Sequence, residues 1–143
     1  MTDATTIVDA AVSAEPLDVA AHLAAVSDPQ AGAIASFVGV VRDHDREADG
    51  RVILLEYQAH PDAGRILHEL AARYATDGAR VAVSHRVGRL AVGDLALVCA
   101  VSTAHRADAF ERCRDLVEAI KVELPVWKRQ HTATGEATWV GLA

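Results

Sequence analysis

The only two lysines of this 143-residue chain, Lys121 and Lys128, stand seven positions apart, whereas the twelve other basic side chains are all arginine. A guanidinium stays charged in proteins, but an ammonium loses its proton when desolvated and then acts as a base or nucleophile. A chain that uses arginine for general positive charge and keeps lysine for two neighbouring places points to proton transfer or covalent chemistry at those places. A lysine pKa near ~10.4 falls by up to ~3–5 units on full burial, and a second ammonium alongside lowers it too. Such a group is a usable general base or nucleophile near neutral pH.

The elements that must hold these lysines are readable around them. Phe110, Cys113, Val117, Ile120 and Leu124 recur at three- and four-residue steps, which predicts an amphipathic helix from near His105, stopped before Pro125. Lys121 projects beside Val117 on the apolar side, away from Asp108, Asp115 and Glu118, so it either snorkels along apolar neighbours or holds its amine in a partly dry pocket. After Pro125, alternation in PVWKRQHT puts Val126, Lys128 and Gln130 on one face of an extended run, from which Lys128 returns toward Lys121.

At the other end of the helix, Ser102-Thr103-Ala104-His105-Arg106 sets polar side chains and free backbone N–H groups at a helix start, a favourable place for phosphate. Ser102 or Thr103 is read as the helix cap, leaving His105 and Arg106 as anion ligands. Arg42 ends an apolar strand and precedes the charged stretch Asp43 to Gly50, expected to be a mobile surface loop, either a solvated connection or a lid. An arginine at that strand end is placed to grip an anionic substrate.

Length and composition narrow the field. A chain of this size that is 51% hydrophobic builds one well-buried core, so a single α/β or α+β domain over residues 1–143 is expected. The net charge of −6 argues against a nucleic-acid binder held by backbone phosphates. The acidity is uneven: His105 to His131 carries six Lys/Arg against five Asp/Glu, while the remainder carries eight against fifteen, which places any anion site in the C-terminal third. Cys99 and Cys113 both fall in apolar patterns and read as reduced core residues of a cytoplasmic protein. The N-terminus lacks a basic region followed by an apolar core, and no apolar run approaches transmembrane length, so neither a signal peptide nor a membrane span is expected.

Taken in order, Thr6 to Val12 reads as a strand, Pro16 to Val26 as a short helix and Gly32 to Arg42 as a buried strand. Arg51 to Gln58 reads as a strand antiparallel to its predecessor, given the short connection. Pro61 opens a helix with Ala63, Ile66, Leu67, Leu70 and Tyr74 on its buried stripe. Arg80 to Val87 and Leu95 to Thr103 are further strands, joined by GRLAVGD with Gly88 and Gly93 in tight turns. Thr134-Gly135-Glu136 turns the last hairpin. His85-Arg86, at a strand end, is read as structural. The scattered histidines and cysteines lack paired zinc-ligand spacing, and no nucleotide-binding glycine pattern or nucleophile motif occurs, so neither metal nor cofactor is expected.

The stretches GAIASFVGVVRDH, LEYQAHPDAG, SHRVGRLAVGD, STAHRADAFERCRDLVEAIKVELPVWKR and TGEATWV resemble the large, catalytic subunit of molybdopterin synthase, through nearly the whole chain from Gly32 onward. The resemblance implies an α/β hammerhead-type fold with a mostly antiparallel sheet and a long helix in the C-terminal half. It implies a homodimer within a heterotetramer, whose small ubiquitin-like partner delivers sulfur from a thiocarboxylated C-terminal Gly-Gly to cyclic pyranopterin monophosphate. By motif, Lys121 and Lys128 match the active-site lysines, and Arg42, His105 and Arg106 match substrate- and phosphate-contacting positions. Val40, Val41, Arg129 and Gln130 would line the same pocket. The family commonly has asparagine where Asp43 and Asp45 stand, and glutamate at the place of Gln130. The competing reading is a non-catalytic anion-binding module for a phosphorylated metabolite, and a third is a purely structural partner subunit.

Overall fold

A computed structural model describes residues 8–43, 52–133 and 137–142. Eleven elements follow one another: β1 (Val8–Ser13), α1 (Val19–Ala25), β2 (Ala33–Val40), β3 (Val52–Ala59), α2 (Ala63–Tyr74), β4 (Arg80–Arg86), β5 (Gly88–Ala91), β6 (Leu95–Thr103), α3 (Arg106–Glu123), β7 (Val126–Thr132) and β8 (Ala137–Leu142). They form an α+β fold with two four-stranded sheets, one in the order β1-β4-β6-β2 and the other β5-β3-β7-β8. Among the described residues only the β1–β4 pair is parallel.

The first sheet is covered on both faces, which is why β6 reads as a nearly continuous apolar run. Cross-strand rows set the division: Ala35, Val101 and Val81 share one row, and Phe37, Cys99 and Val83 the next. Of these, Ala35, Val81, Val83, Cys99 and Val101 join the main core with Leu67 and Leu70 of α2 and Cys113, Leu116, Val117 and Ile120 of α3, while Phe37 is partly exposed. Ala82 and Ala100 point the other way, onto Val26 just past α1. The small alanines let that short helix approach closely, and Ser84 Oγ meets His22 Nε2 at 2.8 Å beneath it.

Two contacts fix α3 relative to α2. Arg112 donates to the carbonyls of Tyr74 and Thr76 and to Asp108, closing the C-terminal end of α2 where the chain turns through Asp77 at φ 55°. Arg73 binds Glu123 through two parallel 2.9 Å hydrogen bonds. The last turn of α3, which carries Lys121, is thereby tied to the neighbouring helix. Leu124 leaves the helix in an extended conformation, as the residue before Pro125 must.

Several sequence expectations are corrected. β3 is not paired with β2; it joins β5 and β7 in the other sheet, because the chain crosses from one sheet to the other after Arg42. GRLAVGD contains the strand β5 between its glycines, both at positive φ. Phe110 is 66% exposed and lies outside the core. Neither Ser102 nor Thr103 caps α3: Ser102 Oγ donates to the Val26 carbonyl and Thr103 Oγ1 to that of His105. His105 holds the cap position without a side-chain cap hydrogen bond. Residues 44–50 of the expected loop, and the Thr134–Glu136 turn, lie outside the described residues.

Candidate functional site

A cavity of about 400 Å³ opens where the end of the first sheet, the second sheet and the last turn of α3 converge. The volume falls in the range of sites for small organic molecules. One wall is the end of β2 with the residues that follow it, including Val40, Val41 and Arg42. Beside it Gly39, Leu97 and His85 form a single cross-strand row on β2, β6 and β4. Gly39 matters by what it lacks, since a Cβ there would sit a tight 3.3 Å from the Phe37 ring and 3.4 Å from Leu97 Cβ, two residues that also line the cavity.

The facing wall comes from the second sheet. Burial alternates along β7, with Val126, Gln130 and Thr132 inward and Trp127 outward, so Lys128 shares the inward face. Lys128 is the direct cross-strand partner of Tyr57 on β3, and both border the cavity. Lys121 enters from α3. The wall thus carries three cationic side chains, Arg42, Lys121 and Lys128, and among the described residues no carboxylate. In a chain of net charge −6 this is a local inversion of sign, and it selects anions.

Lys121 differs from an ordinary surface lysine. Much of its side chain is exposed, yet its pKa is lowered, first by desolvation and then by the charge of Lys128. Glu118, one turn earlier, partly opposes the shift. The snorkelling and dry-pocket readings are therefore both partly true: the stem lies along the surface and the amine end faces a cavity with a second ammonium in it.

The other sequence-derived candidates are distributed as follows. Arg129 points to the opposite face of β7, its guanidinium 5.6 Å from the Trp139 ring centroid, and does not border the cavity. Gln130 faces inward but is buried beside its cross-strand partner Leu55, outside the cavity lining. His105 and Arg106 are exposed at the far end of α3, and sixteen residues of helix at 1.5 Å each put His105 about 24 Å from Lys121. The lysines, Arg42, Val40 and Val41 are therefore brought together within one chain, and His105 and Arg106 are not.

Two residues of the wall escaped the sequence reading. Tyr57 and His85 meet edge to face, with ring centroids 5.0 Å apart, and both border the cavity. The signal for His85 was present in its strand-end position, where Val81, Val83 and His85 alternate on one face. A polar residue ending an apolar stripe marks the place where a core opens into a site.

A second, more apolar groove adjoins the first. Its apolar lining is Ala35, Phe37, Phe110, Cys113 and Val117 between β2 and α3, with Ser36, Arg114 and Glu118 also bordering it, and Phe37 borders both. β2 is one of the two edge strands of its sheet, paired among the described residues on one side, with β6. Cys99 and Cys113 are free and buried, their Sγ atoms 4.0 Å apart. No group of three or more potential metal-ligating side chains occurs among the described residues.

Comparison with known proteins gives a consistent answer. The sequence pattern of the family described as MoaE protein matches residues 12–123. Molybdopterin synthase catalytic subunit 1 of Mycobacterium tuberculosis is 45% identical over 130 residues, 89% of this chain and 86% of the relative. The molybdopterin synthase catalytic subunit of Halalkalibacterium halodurans is 40% identical over 136 residues, 92% of this chain and 84% of the relative. Among solved structures, molybdopterin synthase from Staphylococcus aureus superimposes with a TM-score of 0.82 at 29% identity, covering 92% of this chain and 95% of that one.

Proposed function

The chain belongs to the MoaE protein family, and from that premise we propose that it is the catalytic subunit of a molybdopterin synthase. It transfers sulfur from the thiocarboxylated C-terminus of a small ubiquitin-like subunit to cyclic pyranopterin monophosphate, forming the dithiolene of molybdopterin. The observation that carries the reading is the cavity in which Lys121 and Lys128 face one another across a space free of carboxylates among the described residues. A phosphorylated substrate finds its charge complement in Arg42 and the two ammonium groups. Opening the cyclic phosphate and adding sulfur both require proton transfers, and a lysine whose pKa is lowered by desolvation and by Lys128 is suited to supply them. The sulfur comes from the partner subunit, because both cysteines of this chain are buried in its core.

His105 and Arg106 enter this scheme from a neighbouring protomer. Their distance from Lys121 along α3 is greater than a small pterin phosphate spans, and the apolar groove with the exposed Phe110 adjoins the cavity through Phe37. A second copy seated on that groove and on the edge of β2 brings its own helix start toward the lysines. The partner's thiocarboxylate tail enters beside Lys121 and the start of β7. No helix among the described residues is long and apolar enough to cross a membrane, and the free thiols support a cytoplasmic location.

The test is product formation on mixing this chain with the purified precursor and a thiocarboxylated small subunit. Lys121→Arg and Lys128→Arg should each abolish turnover while leaving the fold intact, since arginine keeps the charge and loses the proton chemistry. Retained turnover in both variants would show that charge alone suffices and would defeat the assignment of proton chemistry to the lysines, whereas no product from the wild-type chain would defeat the enzyme reading in favour of an anion-binding module.

A further inference from the structure

We propose that His85 positions the substrate: its Nε2 lone pair accepts a hydrogen bond from an N–H group of the pterin ring in the cavity. The ligand named here rests on the functional reading above. The side chain is 3% exposed, and it borders the cavity. Its place is built from three sides. Gly39 and Leu97 lie in its cross-strand row and line the cavity with it. Tyr57 packs edge-on against the ring with an interplanar angle of 76°.

The ring's hydrogen bonding settles which nitrogen is which. Nδ1 lies 2.8 Å from the Arg86 carbonyl oxygen. A carbonyl only accepts, so Nδ1 carries the proton and the neutral ring keeps its lone pair on Nε2. No described residue donates to that lone pair, and Nε2 is not among the fully buried polar atoms lacking a partner. His85 borders the cavity, and with Nδ1 engaged by the Arg86 carbonyl, Nε2 is the ring nitrogen left for a ligand there. The ring stays neutral in use: desolvation, with a smaller contribution from Lys121, lowers its pKa to about 4.

The cavity needs such a group. The cationic side chains suit the phosphate and the lysines are engaged in proton transfer, but a pterin ring also carries N–H donors that must be matched when they leave water. Among the described lining side chains other than the two lysines, His85 and the Tyr57 hydroxyl offer an acceptor. A carboxylate would accept as well, but it would pair with the lysines and raise the pKa that Lys128 and desolvation hold down. A neutral imidazole accepts without that effect.

Two substitutions separate the nitrogens. In His85→Asn the amide N–H₂ takes the place of Nδ1 and keeps the bond to the Arg86 carbonyl, with nothing where Nε2 stood. In His85→Gln the amide oxygen reaches the Nε2 position. Binding of the cyclic pterin phosphate and of inorganic phosphate is measured by calorimetry, and thermal unfolding in parallel. His85→Asn should weaken pterin phosphate binding about tenfold, in line with one lost hydrogen bond to a desolvated group. His85→Gln should recover most of it, and neither variant should change phosphate binding. Unchanged pterin binding in His85→Asn overturns the proposal, as does an equal loss for both ligands in both variants, which would mark a structural role. A wild-type chain that binds neither ligand overturns the functional reading and the His85 proposal together.

Discussion

Lys128 lies directly across the β3–β7 ladder from Tyr57, and this register holds the second lysine on the inward face of β7, where its charge lowers the pKa of Lys121. The two lysines are therefore one coupled system, held by two elements that Pro125 separates. Lys128→Gln removes the charge and leaves the desolvation, which is the larger cause. Lys121 should then titrate at higher pH, though still below an ordinary lysine. Because the variant retains a single lysine, the Lys121 side-chain ¹³C signal identifies itself and reports the titration directly. The alkaline shift should also move the limb of any activity that needs neutral Lys121 toward higher pH. An unchanged titration curve would show that the ammonium groups do not sense each other.

His85 predicts a dependence of stability on pH. Its folded pKa is about 4 against an unfolded value near 6.5, so between these values the unfolded chain binds the proton that the folded chain refuses. The contribution is fully present above pH ~6.5, is lost as pH falls toward ~4, and is constant below that. A shift of this size corresponds to roughly 3 kcal/mol across the window. Urea unfolding of the wild type and of His85→Asn between pH 4 and 7 isolates it, since the difference between the two curves should slope only in that interval. Parallel curves would mean that the folded protein protonates His85 without cost.

The lysine pair, the long helix and the inward face of β7 were legible in the sequence because each rests on local periodicity and a proline, which act over a few residues. The pairing of β3 was not. A short connection favours a hairpin, but β3 finds its partners in β7 and β5, and nothing within Arg51 to Gln58 encodes the crossing to another sheet. Phe110 misled for a related reason. It keeps helical spacing with Cys113 and Val117, yet it falls at the edge of the stripe, where a single chain leaves it exposed. Periodicity reports that a face is apolar without saying what covers it. His85 was undervalued because a histidine ending a strand is locally indistinguishable from a core residue until Tyr57 and Lys121 are brought against it.

Gly32 and Gly64 should respond oppositely to alanine. A Cβ on Gly32 would lie 2.5 Å from the Ala104 carbonyl oxygen, a backbone atom that cannot swing aside, while one on Gly64 meets nothing within 4 Å. Gly32→Ala must displace the peptide just before His105 and should destabilise by roughly 1–3 kcal/mol. Gly64→Ala, inside α2, should stabilise by about 0.5–1 kcal/mol. Chemical denaturation of both variants checks the pair. Equal midpoints would contradict the close approach of β2 to the start of α3.

The last expectation concerns the division of the site between protomers. If the phosphate is held by His105 and Arg106, the grip and the lysines cannot meet on one chain, because α3 runs unbroken from Arg106 to Glu123 and holds the two ends about 24 Å apart. A kink would shorten that distance, but the helix contains neither proline nor glycine to cause one. Two-fold association over the Phe37–Phe110 groove resolves the conflict by creating two equivalent pockets, each with lysines from one copy and a helix start from the other. Arg106→Ala and Lys121→Ala should each be inactive alone. Mixed under conditions that exchange subunits, they should regain activity, since each mixed dimer holds one pocket with both defects and one with neither. With random exchange half the dimers are mixed, so about a quarter of all pockets become intact. No recovery despite exchange confirmed by mass spectrometry would place the whole site within a single chain and leave His105 and Arg106 without a part in it.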